Sequence, residues 1–258
     1  MPSTFIASHR GGSGPPLLCL HGFADTWRTW DLVLPALERE HEVLAPTLAG
    51  HAGGPPVVGE IDESVLAGAV ERSLDEAGWE TAHIVGNSLG GYVALQLAAR
   101  GRARSVVALA PAGAFAASDE SYRETIDYFE GMLDAVKGAA PNAEMILASP
   151  ESRRRATRFT ATKFEHIPVE LLAHQIRGAA ACEAGLALIE HGYREGWPLD
   201  AARIECPVRI VWGRPTASCR GRGQRLASAT TCSPTPTGSS STASPTCPSS
   251  TSRSRPRS

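Results

Sequence analysis

Five short apolar runs, most of them separated by a helical pattern, constrain this chain more than any other feature of it. They are "GPPLLCLHGF" (14–23), "HEVLAP" (41–46), "TAHIVG" (81–86), "SVVALAPAG" (105–113) and "CPVRIVWG" (206–213). Between the second and third, "DESVLAGAVERSLDEAG" (62–78) carries Val65, Leu66, Ala69, Val70 and Leu74 at helical spacing, with Asp62 placed to cap the start. "LGGYVALQLAAR" (89–100) reads as a second helix. Unbroken apolar strands alternating with helices imply an α/β fold, a mostly parallel, doubly wound sheet covered on both faces. From about 117 to 197 the pattern is helical without a convincing strand, which predicts an inserted cap or lid. The expected organisation is a first part of the core at 1–116, a helical cap at 117–197 and a returning core strand within 198–213. A tail at 214–258 follows.

The tail differs in kind from the rest. Residues 1–213 hold all 27 acidic residues and 18 basic ones, for a net charge of −9, whereas 214–258 hold seven arginines and no acid. Ser, Thr, Pro and Arg fill 33 of those 45 positions, and Leu226 is the one large aliphatic. Such a segment buries too little apolar surface to offset its chain entropy, so it is expected to be disordered. Its arginines lack aromatic stacking partners and make a poor nucleic-acid footprint, so no nucleic-acid partner is expected. No apolar run approaches a membrane span, and the N-terminus shows no signal peptide, which sets a cytoplasmic expectation. The six cysteines form no C-x-x-C pair; Cys19 and Cys206 flank apolar strands and read as buried thiols, and no metal site is indicated.

"GNSLGG" (86–91) is a G-x-S-x-G pattern between a predicted strand and a predicted helix. The pattern alone is weak, and a glycine-rich turn that merely opens a helix is the plain alternative. In this context it carries chemistry: Ser88 would occupy a sharp, strained turn that only uncrowded neighbours tolerate, hence Gly86 and Gly90. The turn lifts the hydroxyl over the strand ends, where open α/β sheets bind ligands. An attacked carbonyl becomes an oxyanion that needs fixed backbone donors. One is expected from Leu89, at the helix N-terminus, and the other from Phe23 in the "LHGF" loop. His21 is expected to brace that loop, and His51 and the two tryptophans Trp27 and Trp30 to pack.

These two motifs, in this order, resemble those of the α/β-hydrolase superfamily over residues 14–213. "HGFADTWRTWDLVLPALE" followed by "GNSLGGYVALQLA" looks most like esterases and meta-cleavage-product hydrolases with a helical cap. The resemblance implies an eight-stranded sheet, a Ser–Asp–His triad in that chain order and no cofactor. Haloalkane dehalogenases and epoxide hydrolases share the shape but carry aspartate at the elbow, and Ser88 argues against both. In this family the acid follows a strand like "VRIVWG" and the histidine comes later. Neither is present, because all eight histidines precede Gly213 and no Asp or Glu follows it. One lost base near Arg214 would account for both gaps, since restoring it can place aspartate opposite Thr216 and histidine opposite Thr246. The fold is then expected to be incomplete at its C-terminal end, with 206–213 an exposed edge.

The implied activity is acyl transfer from an ester-like small-molecule substrate to Ser88 and on to water, crippled in this chain for want of the triad acid and histidine. Two alternatives stand beside it: a working hydrolase using the cap histidines His174 or His191, and a non-catalytic binding protein that keeps the pocket.

Overall fold

The computed structural model describes residues 5–62, 64–113, 120–157, 161 and 163–213. The predictions for the tail, 214–258, lie outside these residues. The five apolar runs, joined by one polar strand, form a single sheet of six strands among the described residues. They are β1 (Ser8–Gly12), β2 (Pro16–Leu20), β3 (Glu42–Pro46), β4 (Ala82–Asn87), β5 (Ala103–Leu109) and β6 (Val208–Val211). The spatial order is β1-β3-β2-β4-β5-β6, and every pairing is parallel except that of β1 with β3. β1 escapes the sequence reading because "SHRGG" is polar and half-exposed; its backbone pairs Ser8 opposite Pro46 and Gly12 opposite Glu42, and the Arg10 guanidinium donates to the Glu42 carboxylate of β3 (2.6 and 2.9 Å).

Period-two alternation divides β2 between the two faces of the sheet. Leu18 and Leu20 enter one core with Leu44, Ile84, Val106 and Ala108, under α2 (Val65–Glu76) and α3 (Leu89–Ala99). Leu17 and Cys19 enter the other with Val43 and Ala45, beneath Trp30 of a 3₁₀ turn (Trp27–Trp30) and Leu34 of α1 (Leu34–Leu37). Each fully buried aliphatic here contributes about 1.5–3 kcal/mol. Helix α3 is buried from Leu89 through Ala98, so its apolar character all round is what an enclosed helix requires.

The start of α2 differs from expectation. Ser64, not Asp62, is the N-cap residue and makes no side-chain cap bond. Asp62 instead accepts hydrogen bonds from the Ser64 amide (2.7 Å) and hydroxyl (2.8 Å), an Asx-type turn before the helix that holds its carboxyl below the usual range. Cys19 is buried as expected, whereas Cys206 is half-buried.

Between β5 and β6 the described residues form five helices and no strand: α4 (Glu120–Ala139), α5 (Ala143–Ile146), α6 (Pro150–Thr157), α7 (Val169–Ala180) and α8 (Gly185–Glu195). Ile126 and Leu133 of α4, Ala179 of α7 and Ile189 of α8 close a separate apolar cluster that also takes in Ala24 and Phe23. The helical segment therefore rests on the loop that follows β2.

Candidate active site

From β2 the chain moves outward to β3, then passes back across β2 to β4. The direction of winding reverses between β2 and β4, and the connections leaving their carboxyl ends diverge there to open a crevice. The loop carrying Phe23 leaves β2 on one side of this point, and Ser88 leaves β4 on the other.

Three non-glycine residues among those described have positive φ: Ala24 (56°), Ser88 (51°) and Ala110 (44°). They follow β2, β4 and β5, three adjacent parallel strands, so the strained non-glycine backbone among the described residues gathers at the carboxyl ends of the central strands. Such conformations cost on the order of 1–3 kcal/mol each and persist only where the surroundings impose them. At Ser88 the imposition is visible. Its amide donates to the Leu109 carbonyl (2.9 Å), and its carbonyl accepts from the amides of Tyr92 (3.1 Å) and Ala112 (2.9 Å).

The flanking glycines are required by contact. A Cβ on Gly86 would lie 2.2 Å from the Gly90 carbonyl oxygen, and one on Gly90 would lie 2.4 Å from Leu20 O and 2.5 Å from His21 O. α3 can therefore begin hard against the end of β2. Gly22 performs a similar service across the crevice: a Cβ there would stand 2.9 Å from the Asn87 side-chain oxygen and 3.5 Å from the Ser88 Cβ. The sequence reading valued the "HGF" motif but gave Gly22 no task, and only the approach of the two loops reveals one.

Ser88 is half-buried at the N-terminus of α3 and makes no side-chain cap bond. Among the described residues its hydroxyl has no hydrogen-bond partner, and the amides of Phe23 and Leu89 have no acceptor. Phe23 packs edge-on against Phe129 of α4, with ring centroids 4.9 Å apart.

His21, His51 and His174 are engaged by other groups. His21 is fully buried; its Nδ1–H donates to the Gly22 carbonyl (2.7 Å) and its Nε2 accepts from the Leu48 amide (2.8 Å). Burial, followed by the neighbouring His51, holds its pKa well below the usual value. With both nitrogens engaged, the ring ties the loop after β2 to the loop after β3. His51 is buried beside it, ring centroids 5.0 Å apart, with Nδ1 3.1 Å from the Ala49 carbonyl and a pKa pushed down to about 4 by burial. His174 of α7 places Nε2 2.9 Å from the Thr26 hydroxyl, and His191 of α8 stands against the 56–61 loop. The structure brings neither into a hydrogen bond with Ser88.

A polar latch, which sequence reasoning missed, joins the loop after β2 to α7. Asp25 accepts from the Thr26 amide (2.8 Å) and from Gln175 Nε2 (3.2 Å), and burial raises its pKa to about 6. Residues 150 positions apart in sequence left no local signal of this pairing.

This geometry has counterparts. The model of the alpha/beta hydrolase family matches residues 17–234. An epoxide hydrolase, EphH, of Mycobacterium tuberculosis (strain ATCC 25618 / H37Rv) is 41% identical over 129 residues, which cover 50% of this chain and 60% of that protein. The chain thus spans about three-fifths of that relative's length. A pimeloyl-[acyl-carrier protein] methyl ester esterase of Aeromonas hydrophila subsp. hydrophila is 32% identical over 214 residues, covering 81% of this chain and 78% of the esterase. Among solved structures, a meta-cleavage product hydrolase from Pseudomonas fluorescens IP01 superposes with a TM-score of 0.58 at 20% identity, covering 80% of this chain and 75% of that one. No helix among the described residues is long and apolar enough to cross a membrane. Strain at the carboxyl ends of the central strands, a glycine-flanked serine at the switch point and a family match over most of the sequence lead to one conclusion: this chain belongs to the alpha/beta hydrolase family.

Proposed function

We propose that the chain carries the apparatus of a serine hydrolase for small ester-like substrates, with Ser88 as the acylated group and the amides of Phe23 and Leu89 as oxyanion donors. The helices of 120–195 serve as its cap. The observation that carries this reading is the strained Ser88 at the switch point, its Cβ within van der Waals reach of the Gly22 position. The free amides of Phe23 and Leu89 support it, because a preorganised donor is one that has no other acceptor. The esterase relative supports an ester-like substrate class.

Within these 258 residues the serine is disabled. Residues 214–258 supply no Asp, Glu or His, and His174 is committed to Thr26. A serine without its base loses on the order of 10⁴–10⁶ in kcat. The epoxide opening named for one relative is not carried over to this chain. A serine oxygen adding to an epoxide carbon would leave an ether, which water does not release, whereas a carboxylate would leave a hydrolysable ester.

The test is turnover of a p-nitrophenyl ester with and without added imidazole, a diffusible base. Negligible turnover alone, and an imidazole-dependent increase that Ser88→Ala abolishes, are the expected results. Absence of any Ser88-dependent increase removes Ser88 from the mechanism. Robust turnover without imidazole, lost in Ser88→Ala, refutes the disablement.

A further inference from the structure

The turn that carries Phe23 is weakly closed by its own bonds. Phe23 and Ala24 are its central residues, and the closing bond, from the Asp25 amide to the Gly22 carbonyl, is long at 3.4 Å. Ala24 is held at φ 56°, a region in which a residue with a β-carbon relaxes unless its surroundings prevent it. Relaxation at Ala24 would open the turn and with it the aim of the Phe23 amide.

The surroundings that restrain it belong to the helical segment. Asp25 and Thr26, the first two residues past the strained one, bond to two consecutive residues of α7. The Asp25 carboxylate accepts from Gln175 Nε2 (3.2 Å), and the Thr26 hydroxyl meets His174 Nε2 at 2.9 Å. The same carboxylate accepts from the Thr26 amide (2.8 Å), which joins the two bonds into one link. Gly178, one turn further along α7, lets the helix approach: a Cβ there would stand 3.2 Å from the Thr26 Cγ2. Ala24 itself packs into the apolar cluster that α4, α7 and α8 build.

We infer that Asp25 and Gln175 are positioning residues: through the Ala24 turn they set the aim of the Phe23 amide, so that this oxyanion donor is in place only while α7 is seated on the core. Neither is a catalytic residue, since each acts through the backbone of Phe23. The inference rests on the reading of Phe23 as an oxyanion donor and supplies what holds that donor still. It also couples entry to chemistry. Lifting α7 to admit a substrate breaks the link, and reseating the helix restores the donor. Preorganisation of this kind favours the charged transition state over the neutral substrate, so it acts on kcat and not on KM.

The full chain is assayed for turnover of a p-nitrophenyl ester at fixed imidazole, and the Thr26 amide is followed by hydrogen exchange, which needs no turnover. Gln175→Ala should lower kcat about tenfold with KM unchanged, less than the roughly 10²–10³ that loss of a whole donor costs. It should speed exchange at Thr26 about fivefold while the amides of α3 keep their rates. Gln175→Glu sets two carboxylates together and should be worse than Gln175→Ala. Adding Asp25→Asn to Gln175→Glu puts the amide on the loop and the carboxylate on the helix, and should return both readouts to within about threefold of wild type. A merely structural role predicts no such reversal. Unchanged kcat in Gln175→Ala, a raised KM with kcat intact, or failure of the double substitution to restore kcat would each overturn the inference. Absence of any Ser88-dependent turnover in the wild type removes the reading of Ser88 instead, and exchange at Thr26 then decides alone whether α7 holds the turn.

Discussion

β2 and β6 are both short parallel strands of mainly aliphatic residues, "PLLCL" and "VRIV", yet they experience the fold in opposite ways. β2 lies between β3 and β4, and all but its first residue are buried. β6 pairs only with β5 among the described residues; its residues alternate between half-buried and exposed, and Val211 is 41% exposed. The apolar content of "RIVW" marks it as a strand of the core sheet, and the want of a following strand and helix in the sequence sets the expectation of an exposed edge, which β6 is among the described residues. Burial belongs to the neighbours that a strand acquires. β2 has a covered face on each side, whereas β6 has only Val208 and Ile210 against the larger core.

This contrast is open to attack at four points. The severest is Gly90→Ala, which sets a methyl against the carbonyl oxygens of Leu20 and His21 at the end of β2, where neither backbone can retreat. It should cost roughly 3 kcal/mol or more in urea denaturation, and a neutral result would mean that the β2 end is not the rigid seat described here. Leu18→Ala, at 0% exposure, should cost about 3 kcal/mol by the same measurement.

The Asp25 latch comes next. Its folded pKa of about 6 lies above the ordinary 3.8, so the folded state binds the proton more tightly than the unfolded chain. Stability contributed by this group is therefore greatest below about pH 4 and falls as pH rises through 6. Asp25→Asn should flatten that part of the stability–pH profile and gain on the order of 1 kcal/mol at neutral pH. An unchanged profile would show that burial does not tax this carboxylate. The smallest effect is expected at Val211→Ala, below about 0.5 kcal/mol because little buried surface is lost. A loss comparable to that of Leu18→Ala would erase the distinction between the two strands.

Much of the molecule could be read from local pattern. Strands β2 to β6 and helices α2 and α3 follow from runs of the right period and length, and Ser88, Gly86 and Gly90 from a motif that implies its own geometry. Other features left no such trace. β1 is held by backbone pairing and by an Arg10–Glu42 ion pair whose partners lie 32 positions apart, so "SHRGG" carries no local apolar signal of a strand. The strain at Ala24 and Ala110 falls on residues that ordinarily avoid positive φ, so composition points away from it. The use of Gly22, the Asp25–Gln175 latch and the isolated Nε2 of His191 depend on residues brought together from distant parts of the chain.

What the sequence determined by itself was periodicity and local geometry: which segments are strands, which are helices, and that a serine stands on a turn between two of them. These are matters of a few consecutive residues, where side-chain spacing and backbone freedom act directly. The tertiary structure alone decided which strand became central, which loops met across the switch point and which buried polar atoms were left unpaired. Each of those outcomes is a contact between surfaces far apart in the chain, and packing, not propensity, chooses among them.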